Sequence, residues 1–66
     1  MKTAIIIVDH GSRRLESNKM LEDVAALFAQ RFAAAYPIVE PAHMELAEPS
    51  IATAYAAAVK RGATQV

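Results

Sequence analysis

Two histidines and a few acids, bases and hydroxyls carry whatever chemistry this chain can do, and the first cluster is Asp9-His10-Gly11-Ser12-Arg13-Arg14. Imidazole changes charge near neutral pH, so His10 can hold a metal ion or accept a proton, and Asp9 beside it can supply charge or orient a partner. Gly11 lets the backbone turn tightly and lets a ligand approach. Ser12 and Arg13 are suited to anion recognition ahead of a helix, and Arg13 is preferred to Arg14 because it lies nearer the turn. Taken alone, a histidine-glycine pair after a strand fits a satisfied structural histidine as well as a site. The second cluster is His43 with Glu45, two residues apart and therefore on one side of a strand, where the pair could bind a divalent cation or share a proton. The interior reading is preferred for His43 itself, with its nitrogens satisfied by backbone. Glu45 needs a partner or solvent, since a carboxylate is seldom buried alone. Glu48 is expected only to favour the start of the following helix.

These residues must be held by elements that the patterning supplies. Thr3-Ala4-Ile5-Ile6-Ile7-Val8 is a β-branched run without alternation, ended by Asp9-His10-Gly11, as in a parallel strand buried on both faces. From about Ser17 to Tyr36, Met20, Val24, Phe28 and Phe32 recur at i+4 with Leu21 and Ala25, predicting an amphipathic helix capped by Ser17 or Asn18 and stopped by Tyr36-Pro37. Met20, Phe28, Phe32 and Met44 are read as core. Residues 38–46 predict a second strand, with Pro41 confining it to an edge or a bulge. Pro49 fits the first turn of a second helix, Ser50 offers a capping hydroxyl, and Ile51, Tyr55, Ala58 and Val59 form its apolar stripe up to Lys60-Arg61-Gly62. Residues 63–66 read as the first residues of a third strand. The fold class is therefore α/β, an open parallel sheet with flanking helices in the order βαβα plus the start of a third strand, as one incomplete domain over residues 1–66. In such sheets the ligand crevice lies beyond the carboxyl ends of the strands, where the His10 turn falls.

Composition narrows the functions. The 66 residues include 7 basic and 7 acidic side chains and no cysteine. That balance, with no basic cluster beyond Arg13-Arg14, argues against nucleic acid as a partner. No disulfide or thiolate metal site is possible, so an ion must be held by His, Asp, Glu or a ligand. The apolar run of residues 4–8 is short for a signal-peptide core, and no stretch reaches the roughly 20 apolar residues of a membrane span, so a cytoplasmic protein without membrane contact is expected. A chain this small has a marginal core and an open sheet edge, which favours self-association.

Val8-Asp9-His10-Gly11-Ser12-Arg13-Arg14 with Asn18, followed by Pro41-Ala42-His43-Met44-Glu45-Leu46-Ala47-Glu48-Pro49-Ser50-Ile51, closely resembles the CbiX/SirB family of sirohydrochlorin chelatases, the class II chelatases. The resemblance spans essentially the whole chain, and the second block is the more specific. It implies a chelatase-type α/β fold and insertion of Co²⁺ or Fe²⁺, with Ni²⁺ a further candidate, into sirohydrochlorin on the way to cobalamin or sirohaem. The metal is a substrate, and no organic cofactor or ATP is implied. His10 corresponds to the family's active-site histidine, as metal ligand and proton acceptor, and Glu45 to the acidic residue after the second strand, in the same two roles. Ser12 and Arg13 sit where they can bind the substrate's carboxylates, an expectation from chemistry rather than from the motif. Relatives carry an apolar aromatic at the place of His43, so no role passes to it. Family members continue beyond the point matching Val66 to a second histidine, and the small-type members pair two copies to build one site. The chain thus resembles an N-terminal part of a chelatase subunit and is expected to form a homodimer or higher oligomer.

Two other readings stand beside this one. A truncated, inactive chain could act only as a metal-binding, tetrapyrrole-binding or dimerisation module. A histidine-phosphatase-like enzyme also places a histidine-glycine pair after its first strand, but there an arginine precedes the histidine, whereas Asp9 would repel the incoming phosphate. His-carboxylate ligands accept Co²⁺, Fe²⁺, Ni²⁺ and Zn²⁺ alike, so the physiological metal is not encoded in these residue types.

Overall fold

The computed structural model describes residues 2–66. The long β-branched run forms β1 (Ala4–Asp9), and the chain then turns into α1 (Leu15–Arg31). After a short turn it extends again as β2 (Ile38–His43) and closes with α2 (Ile51–Lys60). β1 and β2 pair in parallel, with Ala4 opposite Ile38 and Asp9 opposite His43. The chain end supplies the expected start of a third strand: Thr3 and Gln65 form a parallel bridge, and the Ala4 N–H donates to the Gln65 carbonyl at 2.7 Å. Because β2 occupies one edge of β1, this bridge lies on the other. The α/β reading with parallel strands therefore holds.

The sheet is covered by one helix per face. Each helix packs on both strands and the two helices do not touch one another, as right-handed crossovers on opposite faces require. Ala4, Ile38 and Ala58 form the buried cluster under α2, with Ala63 packed against it. Since Ala4 and Ile38 face α2, strand alternation sends Asp9 and His43 to the α1 face. There α1 buries Asn18, Leu21 and Ala25.

Several expected details differ. α1 starts earlier and ends earlier than Ser17 to Tyr36, with Arg14 at the N-cap and Phe32 at the C-cap, and no side chain caps its start. Neither Ser17 nor Asn18 plays that part, because Asn18 is turned back onto the preceding loop. The expected stripe is also rotated: Met20 and Val24 are 68% and 53% exposed and Phe32 also faces solvent, while Leu21 and Ala25 make the contact. A two-stranded sheet offers a narrow seat, and the close approach that Ala25 permits selects that edge of a broad apolar pattern. On α2, Ala54 and Ala58 are buried, whereas Ile51, Tyr55 and Val59 stand outward. β1 is only half covered, with Ile5, Ile6 and Ile7 of intermediate exposure and Val8 exposed, so it is not buried on both faces here. Met44 is exposed too, not core. β2 stops at His43 and not at Leu46, which has φ +71°.

The second helix begins at Ile51, two residues later than Pro49 would suggest. Ser50 is its N-cap and its hydroxyl accepts the Thr53 N–H at 3.1 Å. Glu48 accepts from the Ser50 N–H and the Thr53 hydroxyl at 3.2 and 3.0 Å, the helix-start role expected of it in a specific form. Pro41 sits in register opposite Ile7. Its missing N–H would point to the outer edge of β2, on the same side as Val39 and Pro37, whose carbonyls accept from the Arg61 guanidinium. Arg61 also pairs with Glu40, so one side chain shields the open edge. Among the described residues no helix is long and apolar enough to cross a membrane.

Candidate active site

The register places the chemistry. At the carboxyl end of the sheet Asp9 and His43 are directly opposed, and past them the backbone pairing continues with the Met44 N–H donating to the Asp9 carbonyl at 2.9 Å and the Glu45 N–H to the His10 carbonyl at 3.1 Å. The backbones of His10 and Glu45, far apart in sequence, thus meet at the strand ends. Both residues are exposed. Among the described residues no enclosed pocket is present, and the His10 turn and the segment after β2 form an open ledge.

Gly11 makes that meeting possible. Its φ is +91°, and a Cβ built on it would lie 1.8 Å from the Glu45 carbonyl oxygen. Only glycine lets the two segments approach this closely with that backbone sign. The turn is then tied at both ends. Asp9 Oδ1 accepts the Gly11 N–H at 2.9 Å, and the Asn18 carboxamide exchanges two hydrogen bonds with Ser12, accepting its N–H at 3.0 Å and donating to its carbonyl at 2.7 Å.

Ser12 Oγ accepts the Arg14 N–H at 3.0 Å, which leaves its own proton for another acceptor. Arg14 is engaged with Glu16 at 3.3 Å. Arg13 is exposed and has no carboxylate partner among the described residues.

His43 differs from its expected environment. It is 0% exposed, as an interior histidine should be, but its Nδ1 is satisfied by a side chain and not by backbone: it lies 2.6 Å from Asp9 Oδ1. Its Nε2 is buried without a hydrogen-bond partner. His43 and Glu45 do not share a face, because the strand has ended between them. Among the described residues no group of three or more His, Asp or Glu side chains is gathered into a metal cage. The imidazole and carboxylate exposed at the ledge are those of His10 and Glu45. The residues that sequence reasoning did not place are Asn18, as the clamp of the turn, and Asp9 with His43, as a pair. Both depend on contacts across the fold, and only the parallel register brings the second together.

Comparison with known proteins joins this geometry to a family. A CbiX family model matches residues 4–66. The chain belongs to the CbiX family. Among its relatives, the chloroplastic sirohydrochlorin ferrochelatase of Arabidopsis thaliana is 61% identical over 62 residues, covering 94% of this chain and 27% of the relative. Sirohydrochlorin ferrochelatase of Bacillus subtilis is 41% identical over 68 residues, covering 100% of this chain and 24% of the relative. The chain therefore spans about a quarter of the length of these curated relatives. In this CbiX chain the matched region contains the whole ledge, from Asp9 to Arg14 and from His43 to Ser50.

Proposed function

We propose that the chain supplies one wall of a chelatase site that inserts a divalent metal, ferrous iron before cobalt, into sirohydrochlorin. The observation that carries the reading is the pairing of exposed His10 and Glu45 across the carboxyl edge of the sheet, within a chain whose relatives are named sirohydrochlorin ferrochelatases. Those names favour Fe²⁺ as the metal substrate. Insertion exchanges one M²⁺ for two pyrrole N–H protons. An imidazole and a carboxylate carried on adjoining backbone suit both halves of that exchange, since each can hold the ion and then take a proton on the lone pair the departing ion frees. Two protein donors also leave coordination positions for the pyrrole nitrogens, which must win the metal for the reaction to finish. Arg13, unpaired at the ledge, and the Ser12 hydroxyl bind the tetrapyrrole's carboxylates.

The test is visible absorption of sirohydrochlorin with Fe²⁺, under anaerobic conditions, on adding the wild-type chain, the His10→Ala chain, or no protein. Acceleration that disappears with His10→Ala supports the reading, and equal rates for wild type and variant refute it. Glu45→Gln keeps shape and removes charge, so it should slow insertion with little effect on the fold.

A second reading, association through the helices, is favoured by a specific observation. Met20, Val24 and Leu27 on α1, and Ile51, Tyr55 and Val59 on α2, present apolar side chains to solvent. On that reading the chain self-associates or packs on a partner, and sirohydrochlorin insertion is not accelerated at any protein concentration.

A further inference from the structure

The mechanism leaves one buried polar group unused. His43 is fully enclosed, Nδ1 is committed to Asp9, and Nε2 has no partner. A carboxylate only accepts, so Nδ1 must carry the proton in that 2.6 Å contact. A proton on Nε2 as well would bury a cation with an unmet donor, whereas the neutral Nδ1–H form leaves only a bare lone pair, the less costly orphan. The same Asp9 oxygen accepts the Gly11 N–H, the amide directly after His10. His43 therefore lies one hydrogen bond away from the turn that presents the exposed imidazole.

We propose that His43, as its neutral Nδ1–H tautomer, is a positioning residue that locks the Asp9 carboxylate so that Asp9 can hold the Gly11 amide and set the direction of His10. The inference rests on the reading of His10 as the reactive side chain, but its structural content can be measured without turnover. The register explains why a histidine suits the position. Asp9 and His43 are directly opposed on the α1 face, and an imidazole reaches across that gap with a planar donor while the His43 Cβ lies under the turn, 3.2 Å from the position a Gly11 Cβ would take. Asn18 ties the other end of the turn, at Ser12, so the backbone from residue 9 to residue 12 is fixed at two points and His10 lies between them.

Nitrogen-15 NMR of the 66-residue chain tests this. In long-range nitrogen–proton spectra His43 should show a protonated Nδ1 and a bare Nε2, and the Gly11 amide should be protected from hydrogen exchange. His43→Asn keeps an N–H donor near the Nδ1 position and should retain Gly11 protection. His43→Leu fills the site without a donor and should speed Gly11 exchange by at least about fivefold while the α2 amides are unchanged. In the insertion assay, His43→Leu should lower kcat and His43→Asn should restore it, with KM little altered in either. A protonated Nε2 with a bare Nδ1 would overturn the proposal, as would Gly11 exchange in a folded His43→Leu chain that matches wild type. Should His43→Leu fail to fold, the wild-type tautomer and the His43→Asn exchange rate decide. Absence of insertion activity in every chain would count against the proposed function and would leave the tautomer and exchange results to judge the positioning role.

Discussion

Replacing Gly11 by alanine should be far more damaging than replacing Gly62, although both have positive φ. Gly62 has φ +102°, and the nearest atom to an added Cβ is the flexible Lys2 Nζ at 3.6 Å, so Gly62→Ala bears only the backbone penalty of roughly 1–2 kcal/mol. Gly11 bears the same penalty at φ +91° and a collision besides. Its Cβ would sit 1.8 Å from the Glu45 carbonyl oxygen, where ordinary contact begins at 3.4 Å, so the turn and the segment after β2 must part by about 1.6 Å. That separation breaks the His10 carbonyl to Glu45 N–H bond, worth roughly 0.5–1.5 kcal/mol. The total for Gly11→Ala is about 1.5–3.5 kcal/mol. A chain of 66 residues has a folding stability of roughly 3–10 kcal/mol. Urea unfolding followed by circular dichroism reads the difference directly, and with a slope of about 1 kcal/mol per molar the Gly11→Ala midpoint should fall by about 1.5–3.5 M. A midpoint within about 0.5 M of wild type, or one equal to that of Gly62→Ala, would refute the close approach of the two segments.

Other outcomes follow from single contacts. Asn18→Ala removes both hydrogen bonds to Ser12 and should cost about 1–3 kcal/mol in the same urea experiment, with the largest chemical-shift changes at residues 11–14. Ser50→Ala removes the N-cap of α2 and should cost about 1 kcal/mol. Arg61→Ala removes the cation that covers the outer edge of β2; its pair with Glu40 is half-exposed and screened, so stability should change by less than about 1 kcal/mol, while light scattering should show more aggregation.

The sequence made the element order legible because the strands and helices here carry different periods. The run Ile5-Ile6-Ile7-Val8 cannot alternate, Pro41 confines its strand to an edge, and Ser50 caps a helix by chemistry that is local. What stayed hidden was set by packing across the fold. α1 carries apolar residues over nearly half of its circumference, at Met20, Leu21, Val24, Ala25, Leu27 and Phe28, so periodicity alone could not select the edge that meets the sheet. The buried Asn18 lies in that seam and breaks the pattern, because its partner is a loop backbone rather than a core. His10 was legible as a strand-end histidine. The hydrogen bond between Asp9 and His43 was not, since it joins residues 34 positions apart and exists only in one register. Glu45 illustrates the same limit: its two-residue spacing from His43 suggested a shared face, but β2 ends first and its neighbour at the ledge is His10.

On the proposed function, His10 and Glu45, whose backbones pair at the carboxyl edge of β1 and β2, handle the divalent metal substrate. Titrating the nitrogen-15-labelled chain with paramagnetic Co²⁺ tests it most directly, since broadening falls steeply with distance from the bound ion. Signals of residues 9–13 and 44–46 should broaden first, and His10→Ala should abolish this pattern. Broadening centred instead on the exposed acids of α1, Glu22 and Asp23, or a ledge pattern unchanged in His10→Ala, would contradict it.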